Sequence, residues 1–276
     1  MIAEWEGVLL DATRRVHLRV AELARSGEGT RTVGVGAAGD RTILADKVAE
    51  DELVDALSGF KDVRVLSEEA GALGKGDASV LAVIDPLDGS SNFGRRIPFY
   101  CTSVAMVEGE SVGDITFGIV RDLVTGDVYT ARRGEGATKN GRRIRTSGAS
   151  SAREAVVGID LSRSTSRAAA ALVPLLSGVK RQVHLGANAL EICYVADGRF
   201  DSFVDARGKI RVTDFAAAYL IAVEAGARVT DAEGKELSPR FDLEQRYSVV
   251  ASANETLHKQ ILELCAGRGG GKVRVR

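Results

Sequence analysis

Apolar residues recur at helical spacing through the first 26 positions. Val8, Leu9, Ala12, Val16, Val20 and Leu23 predict one amphipathic helix over 3–26. A second helix is predicted over 45–58, with Ala45, Val48, Leu53, Val54 and Leu57 as its buried stripe. Between them, residues 27–39 are glycine-rich with few apolar anchors and read as a mobile stretch. Short apolar runs at 63–66 and 80–84, bounded by turn chemistry, predict strands. From 101 to 145, β-rich segments alternate with glycine-containing turns at 109–113, 125–127 and 133–141, the pattern of an antiparallel meander. Beyond a Ser-rich link at 147–151 the pattern changes. Strands are predicted at 155–159, 179–184, 201–205 and 246–252, and helices at 165–176, 187–197, 214–226 and 254–265. No internal repeat or low-complexity block is present. The two patterns imply an α+β or α/β fold in two lobes, 1–150 and 151–266, with a frayed basic tail at 267–276.

Composition narrows the function classes. The chain has 276 residues, 45% of them hydrophobic, enough for a sizeable core. With 37 basic and 38 acidic residues its formal net charge is −1, so no overall field draws it to nucleic acid or a membrane surface. Affinity for an anion must come from a local site. Cys101, Cys193 and Cys265 are isolated in apolar stretches, without the CxxC spacing of a zinc site, and read as buried thiols in a reducing cytoplasm. Glu4, Glu6 and Asp11 stand where a signal peptide needs a basic start, and no apolar run approaches the roughly 18 residues of a membrane span. A soluble cytoplasmic protein is therefore expected. Asn and Gln total only seven, a depletion that suits a thermophilic source, although GC-rich coding gives a similar bias.

Three segments carry candidate chemistry. Asp85-Pro86-Leu87-Asp88-Gly89-Ser90-Ser91-Asn92-Phe93 follows an apolar strand, so its carboxylates emerge at a strand end. Pro86 fixes φ and Gly89 permits a tight turn, so Asp85 and Asp88 can converge. Carboxylates placed that way repel unless a cation lies between them, and Mg²⁺ prefers a few such oxygens plus water. Amides from Gly89 onward, at a helix start, suit a phosphate. On spacing alone the segment also fits an acidic β-turn capped by Ser. Ser67-Glu68-Glu69-Ala70-Gly71 again follows an apolar strand; it is a solvated loop unless two parallel neighbours deliver both acids to one edge. Asp214, in Thr213-Asp214-Phe215, either caps the following helix or points outward at a cation. Gly34-Val35-Gly36-Ala37-Ala38-Gly39 matches GxGxxG but lacks the buried strand before it and the apolar helix after it, so it reads as a loop beside the site. His17, His184 and His258 show no ligand spacing, and neither a Walker-type loop nor a GxSxG elbow is present.

In this order, SEEAG, DPLDGSSNF and a downstream VTD before an alanine-rich helix resemble the inositol monophosphatase superfamily, which includes fructose-1,6-bisphosphatases. The resemblance spans residues 5–265. It implies a five-layer α-β-α-β-α sandwich of the sugar phosphatase type. It also implies a Mg²⁺-dependent phosphoric monoester hydrolase with two or three ions per site, Mn²⁺ being an alternative. Glu68, Asp85 and the Leu87 carbonyl are then expected to hold one metal, and Asp85, Asp88 and Asp214 a second, with a weaker third near Glu68. Gly89 and Ser90 amides, with Ser91 beside them, are expected on the ester phosphate. Asp46 and the Ser90 hydroxyl, where the family often has Thr, are expected to activate water together with Glu68. The Ser-Ser loop and segment 185–191 are similar to the archaeal dual-activity branch, which acts on inositol phosphates and fructose 1,6-bisphosphate. Arg207, Lys209 and Arg211 are candidates for a distal phosphate, or form a solvated charge run; Arg181 and Asn188 are candidates for a sugar-facing wall. Rival readings are a 3′-phosphoadenosine 5′-phosphate phosphatase and a non-catalytic sugar-phosphate-binding protein. A homodimer is the family's usual state.

Overall fold

A computed structural model describes residues 2–37, 39–74 and 76–267; the expected frayed tail lies, past Gly267, outside the described residues. The chain opens with α1 (Ile2–Ser26), then the strands β1 (Thr32–Val35) and β2 (Arg41–Ile43) and the helix α2 (Leu44–Leu57). Next come β3 (Val63–Ser67), β4 (Gly71–Leu73), β5 (Val80–Asp88), the short helix α3 (Ser90–Arg95), β6 (Cys101–Val107), β7 (Ile115–Asp122), β8 (Val128–Arg132), β9 (Gly136–Lys139) and β10 (Arg142–Arg143). The second half holds β11 (Val156–Ile159), α4 (Ser166–Ala171), α5 (Val173–Gly178), β12 (Arg181–Val183), α6 (Asn188–Ala196) and β13 (Ser202–Ile210). It ends with α7 (Ala216–Glu224), β14 (Arg228–Thr230), β15 (Tyr247–Ser252) and α8 (Glu255–Cys265).

Two sheets result. Eight strands order as β10-β9-β8-β7-β6-β5-β3-β4, and five as β12-β11-β13-β15-β14. The expected meander is the antiparallel run from β6 to β10. The central strands β5, β6 and β7 of the large sheet are buried on both faces, which explains their mainly apolar runs. On β5, Val80, Ala82 and Ile84 face the α1–α2 layer, while Leu81 and Val83 face the other core. Helices α6 and α7 fill the space between the two sheets, and α5 and α8 cover the far face of the smaller one, with α4 packed on α5. The layers therefore run α-β-α-β-α. Alanine-rich α7 fits between two sheets because its side chains are small, and Gly118 on β7 lets it close in: a Cβ there would sit 2.8 Å from the Ala217 carbonyl. Truncating the buried Phe117 to alanine would cost about 3–5 kcal/mol. Among the described residues no helix is long and apolar enough to cross a membrane.

Several local expectations are corrected. The glycine-rich stretch is organised: β1 and β2 pair as an antiparallel hairpin, carried by the β-branched residues Thr32, Val33, Val35, Thr42 and Ile43 on either side of its turn. Residues 34–37 and 39 therefore belong to a hairpin. The helix expected over 165–176 is two helices, interrupted at Leu172, with Pro174 in the first turn of the second, where its missing N–H is harmless. Strand β5 does not end at Ile84 but continues through Asp88, and β13 runs on to Ile210. Residue 214 precedes its helix, which begins at Ala216. The three-residue strands β4 and β14 are too short to show a period in sequence.

Candidate active site

Strands β3 and β5 are parallel neighbours in register Ser67↔Ile84, so their next residues, Glu68 and Asp85, leave the same sheet edge side by side. That adjacency decides against a merely solvated loop at 67–71. Asp88 arrives by a different device. Period-2 alternation would place residues 85 and 88 on opposite faces, but β5 carries a bulge: Asp85 pairs with Ser103 and Asp88 with Cys101, one residue extra on β5. Pro86 has no N–H to lose there, and the Leu87 N–H donates to Asp85 Oδ1 at 3.1 Å. Gly89 follows at φ 89°, where a Cβ would meet the Phe99 carbonyl at 3.0 Å and Ala187 Cβ at 3.2 Å. Only glycine meets both demands.

Asp214 comes from the other half of the chain. It sits on the turn after β13, where the Arg211 N–H donates to Oδ2 at 2.9 Å and the Thr213 hydroxyl to Oδ1 at 3.1 Å. It does not cap α7, whose preceding residue, Phe215, makes no side-chain cap bond. Carboxylate oxygens of Glu68, Asp85 and Asp214 lie within 4.8 Å of one another. Asp88 adjoins them and is held by the first turn of α6, the Ala189 N–H donating to Oδ2 at 2.7 Å.

Asp85, Asp88 and Asp214 are buried, Glu68 is partly so, and the four crowd one another. Burial raises the pKa of all four; the charge of Asp214 adds to the rise for Glu68 and Asp88, and that of Glu68 for Asp85. Asp46, whose Oδ2 accepts the Ile43 N–H at 2.8 Å, is pushed up to about 7 by burial and by the charges of Glu69 and Glu50. Arg211 donates to Glu68 Oε1 at 2.7 Å and to Asp40 with its other terminal nitrogen. One arginine against four carboxylates leaves a deficit of positive charge, and the donors are all hard oxygens. Glu68, Asp85, Asp88 and Asp214 could therefore hold a divalent cation.

The cluster opens into a cavity of about 770 Å³ lined by Asp46, Glu68, Asp85, Leu87, Ser90, Ser91 and Arg211, together with Arg41, Arg95 and Arg163. Other expected residues lie elsewhere. Arg181 is exposed on the edge strand β12 and is not part of the lining. Asn188 stands at the start of α6, outside the lining, and its Oδ1 is buried without a partner among the described residues. Arg207 is not a solvent-facing cation: it pairs with Asp205 and Asp160 and donates to the Ser162 carbonyl at 2.7 Å. The exposed Lys209 donates to the Arg163 carbonyl at 2.5 Å, so it braces a lining residue without lining the cavity itself. Three lining arginines, Arg41, Arg95 and Arg163, are not among the residues expected from sequence. Arg95 follows Ser91 by four residues on α3, a spacing that places both on one helix face. Arg163, in a loop with φ 56°, gives no local signal. Glu69 was also missed: it accepts the Thr42 hydroxyl, and its carbonyl accepts the Ala37 N–H at 2.8 Å, tying the hairpin to the site.

Comparison with known proteins agrees with this geometry. The model of the Inositol monophosphatase family matches residues 5–267. A fructose-1,6-bisphosphatase/inositol-1-monophosphatase of Methanothermobacter thermautotrophicus is 36% identical over 270 residues, covering 94% of this chain and 95% of the relative. Its namesake in Archaeoglobus fulgidus is 39% identical over 240 residues, covering 86% and 88%. The crystal structure of an inositol monophosphatase-fructose 1,6 bisphosphatase superposes with a TM-score of 0.83 at 30% identity, covering 94% of this chain and 99% of that one.

Proposed function

The chain belongs to the inositol monophosphatase family of phosphatases, and we propose that it releases phosphate from fructose 1,6-bisphosphate and inositol 1-phosphate with Mg²⁺. One observation carries the substrate reading. Arg41, Arg95 and Arg163 line the same cavity as the carboxylate cluster, and among the described residues none of them pairs with a carboxylate. A cavity acidic at one end with unpaired guanidinium groups beside it suits a molecule with a phosphate at the metal end and a second anion farther out.

In this reading Glu68, Asp85, Asp88 and Asp214, with the Leu87 carbonyl, hold two or three Mg²⁺ ions. Bound Mg²⁺ supplies the positive charge that makes water nucleophilic near neutral pH and stabilises the departing alkoxide. The chain's own residues do the rest. Asp46 sits at the third position of α2 with one oxygen fixed by Ile43, leaving the other to accept a proton from the attacking water. Its raised pKa, about 7, suits a group that must take up and release that proton near neutrality. The Ser90 hydroxyl orients the same water, and the Gly89 and Ser90 amides hold the ester phosphate. No nucleophilic side chain is needed, because charge stabilisation dominates displacement at phosphorus. The 3′-phosphoadenosine 5′-phosphate reading is less favoured, since the lining offers no aromatic ring for adenine.

The test is phosphate release with and without Mg²⁺ from fructose 1,6-bisphosphate, inositol 1-phosphate and 3′-phosphoadenosine 5′-phosphate. Turnover of the first two is expected. Release from the third alone would overturn the substrate reading, and no Mg²⁺-dependent release from any would overturn the mechanism.

A further inference from the structure

The loop bearing Asp88, Gly89 and Ser90 belongs to the first half of the chain, yet one turn of the second half bears directly on it. Residues 185–189 lead into α6. The Ala189 N–H holds Asp88, and Ala187 packs where a Cβ on Gly89 would come within 3.2 Å. The same turn is gripped from both sides. Asn92 Nδ2 has two hydrogens and gives them to two carbonyls, Phe99 at 2.8 Å in the first half and Leu185 at 2.6 Å in the second. From within the second half, Glu191 Oε1 accepts the Leu185 N–H at 3.2 Å and the Gly186 N–H at 2.9 Å. Gly186, at φ 84°, brings its backbone against the Asn92 side chain.

Glu191 is an unusual residue for that duty. It is fully buried, its Oε2 has no hydrogen-bond partner among the described residues, and Gly158 leaves the room that this oxygen occupies. No cation pairs with it among the described residues, and Asp160 acts on it with like charge. A buried carboxyl without a counter-ion weakens a fold unless its contacts are worth more than an apolar side chain in the same space. Here those contacts are two amides of the turn that abuts the phosphate loop.

We propose that Asn92 and Glu191 are positioning residues that clamp the Leu185–Gly186 peptide across the joint between the two sheets and thereby fix the Asp88–Ser91 loop for phosphate. The proposal rests on the phosphatase reading above. Neither residue touches the reacting atoms. The clamp acts through Ala187 against Gly89 and through Asn92 itself, which rides on α3 one turn into the helix that Ser90 begins.

The experiment compares Glu191→Ala, Glu191→Gln, Asn92→Ala and the double alanine variant with the unaltered protein. Three quantities are read: KM for inositol 1-phosphate at saturating Mg²⁺, inhibition by inorganic phosphate, and hydrogen–deuterium exchange of segment 184–189. Both single alanine variants should raise KM and the phosphate inhibition constant about tenfold and speed exchange of the segment. Glu191→Gln should restore all three, because one oxygen takes both amides and the amide side chain keeps it. The double variant should be no worse than the poorer single one, since both act on one peptide. Wild-type KM and phosphate inhibition in Glu191→Ala, even with a lowered melting temperature, would reduce the residue to a structural role and overturn the proposal. A glutamine variant as damaged as the alanine would overturn it too. If the unaltered protein hydrolyses no phosphate ester, the phosphatase reading fails, and unchanged exchange in both alanine variants would still refute the clamp.

Discussion

Two acidic clusters draw on β13 and the turn after it, and they differ in what lies at their centre. Asp160 and Asp205 enclose Arg207, whose Nε reaches both Asp205 oxygens at 3.0 Å. All three side chains are nine-tenths buried or more, and burial is what raises Asp205, against the pull of the arginine. Glu68, Asp85, Asp88 and Asp214 have no such internal partner; Arg211 touches Glu68 from the edge and is shared with Asp40. The first cluster is closed by its own cation. The second is left with excess negative charge, and four acids crowded in that way are stable only when protonated or when a cation enters from outside. Residue types alone do not distinguish a structural ion pair from a metal site. The position of the positive charge does.

The contrast breaks most sharply at the open cluster. Asp88→Asn should lower phosphate release about a thousandfold or more, the scale of several kcal/mol of lost charge stabilisation, without lowering the metal-free melting temperature, since a repelling charge is removed. Retained Mg²⁺-dependent activity would sink the metal assignment. The closed cluster should answer in stability instead. Arg207→Leu removes the arginine from two buried aspartates, leaving only His184 near Asp160, and should cost about 3–5 kcal/mol in urea unfolding. A normal unfolding curve with a raised KM for fructose 1,6-bisphosphate would return Arg207 to the substrate role expected from sequence.

Mg²⁺ should sharpen the same difference. At a hundred times its dissociation constant the ion should add about 2.7 kcal/mol of stability, and Asp88→Asn should lose most of that gain in thermal melts. The pH dependence has a defined sign. The open cluster and Asp46 have folded pKa values above their unfolded ones, so the folded state holds more protons. Metal-free stability should therefore fall as pH rises from the ordinary carboxylate range, and for Asp46 the loss is complete above about 7. The stabilisation by Mg²⁺ should grow over that interval, because the ion competes with those protons. A metal-free protein as stable at pH 8 as at pH 5 would contradict the charge deficit. The smallest effect belongs to the rim. Arg163→Ala or Arg95→Ala should raise KM about five- to tenfold for fructose 1,6-bisphosphate, with a lesser change for inositol 1-phosphate, as expected for one lost charge-assisted contact. Equal effects on both substrates would move these arginines to the ester phosphate.

Much of this was legible in the chain. The short apolar runs before Glu68 and Asp85 announced strands, and the Pro86–Gly89 spacing announced a change of direction beside the acids. The bulge that brings Asp85 and Asp88 to one side was not legible, because it exists only in the register with β6. Arg207, Lys209 and Arg211 looked equivalent as a run. Alternate residues of a strand share a face, but β13 ends at Ile210, and the three have different fates: one closes an internal ion pair, one braces Arg163, and one, beyond the strand, reaches Glu68. Spacing within the run could not separate those partners since, Asp205 beside Arg207 apart, each lies more than 40 residues away along the chain.

By itself the sequence determined the chemistry available: which carboxylates follow strands, which glycines permit the turns, and which helices are amphipathic enough to pack. These follow from local periodicity and backbone sterics. Only the tertiary structure decided which charges meet. The parallel pairing of β3 with β5 joined Glu68 to Asp85, the turn after β13 added Asp214 from the other half, and the packing of the 185–189 turn against Gly89 joined the two halves at the site. Charges interact through space, over distances that chain separation does not encode, so their pairing had to await the fold.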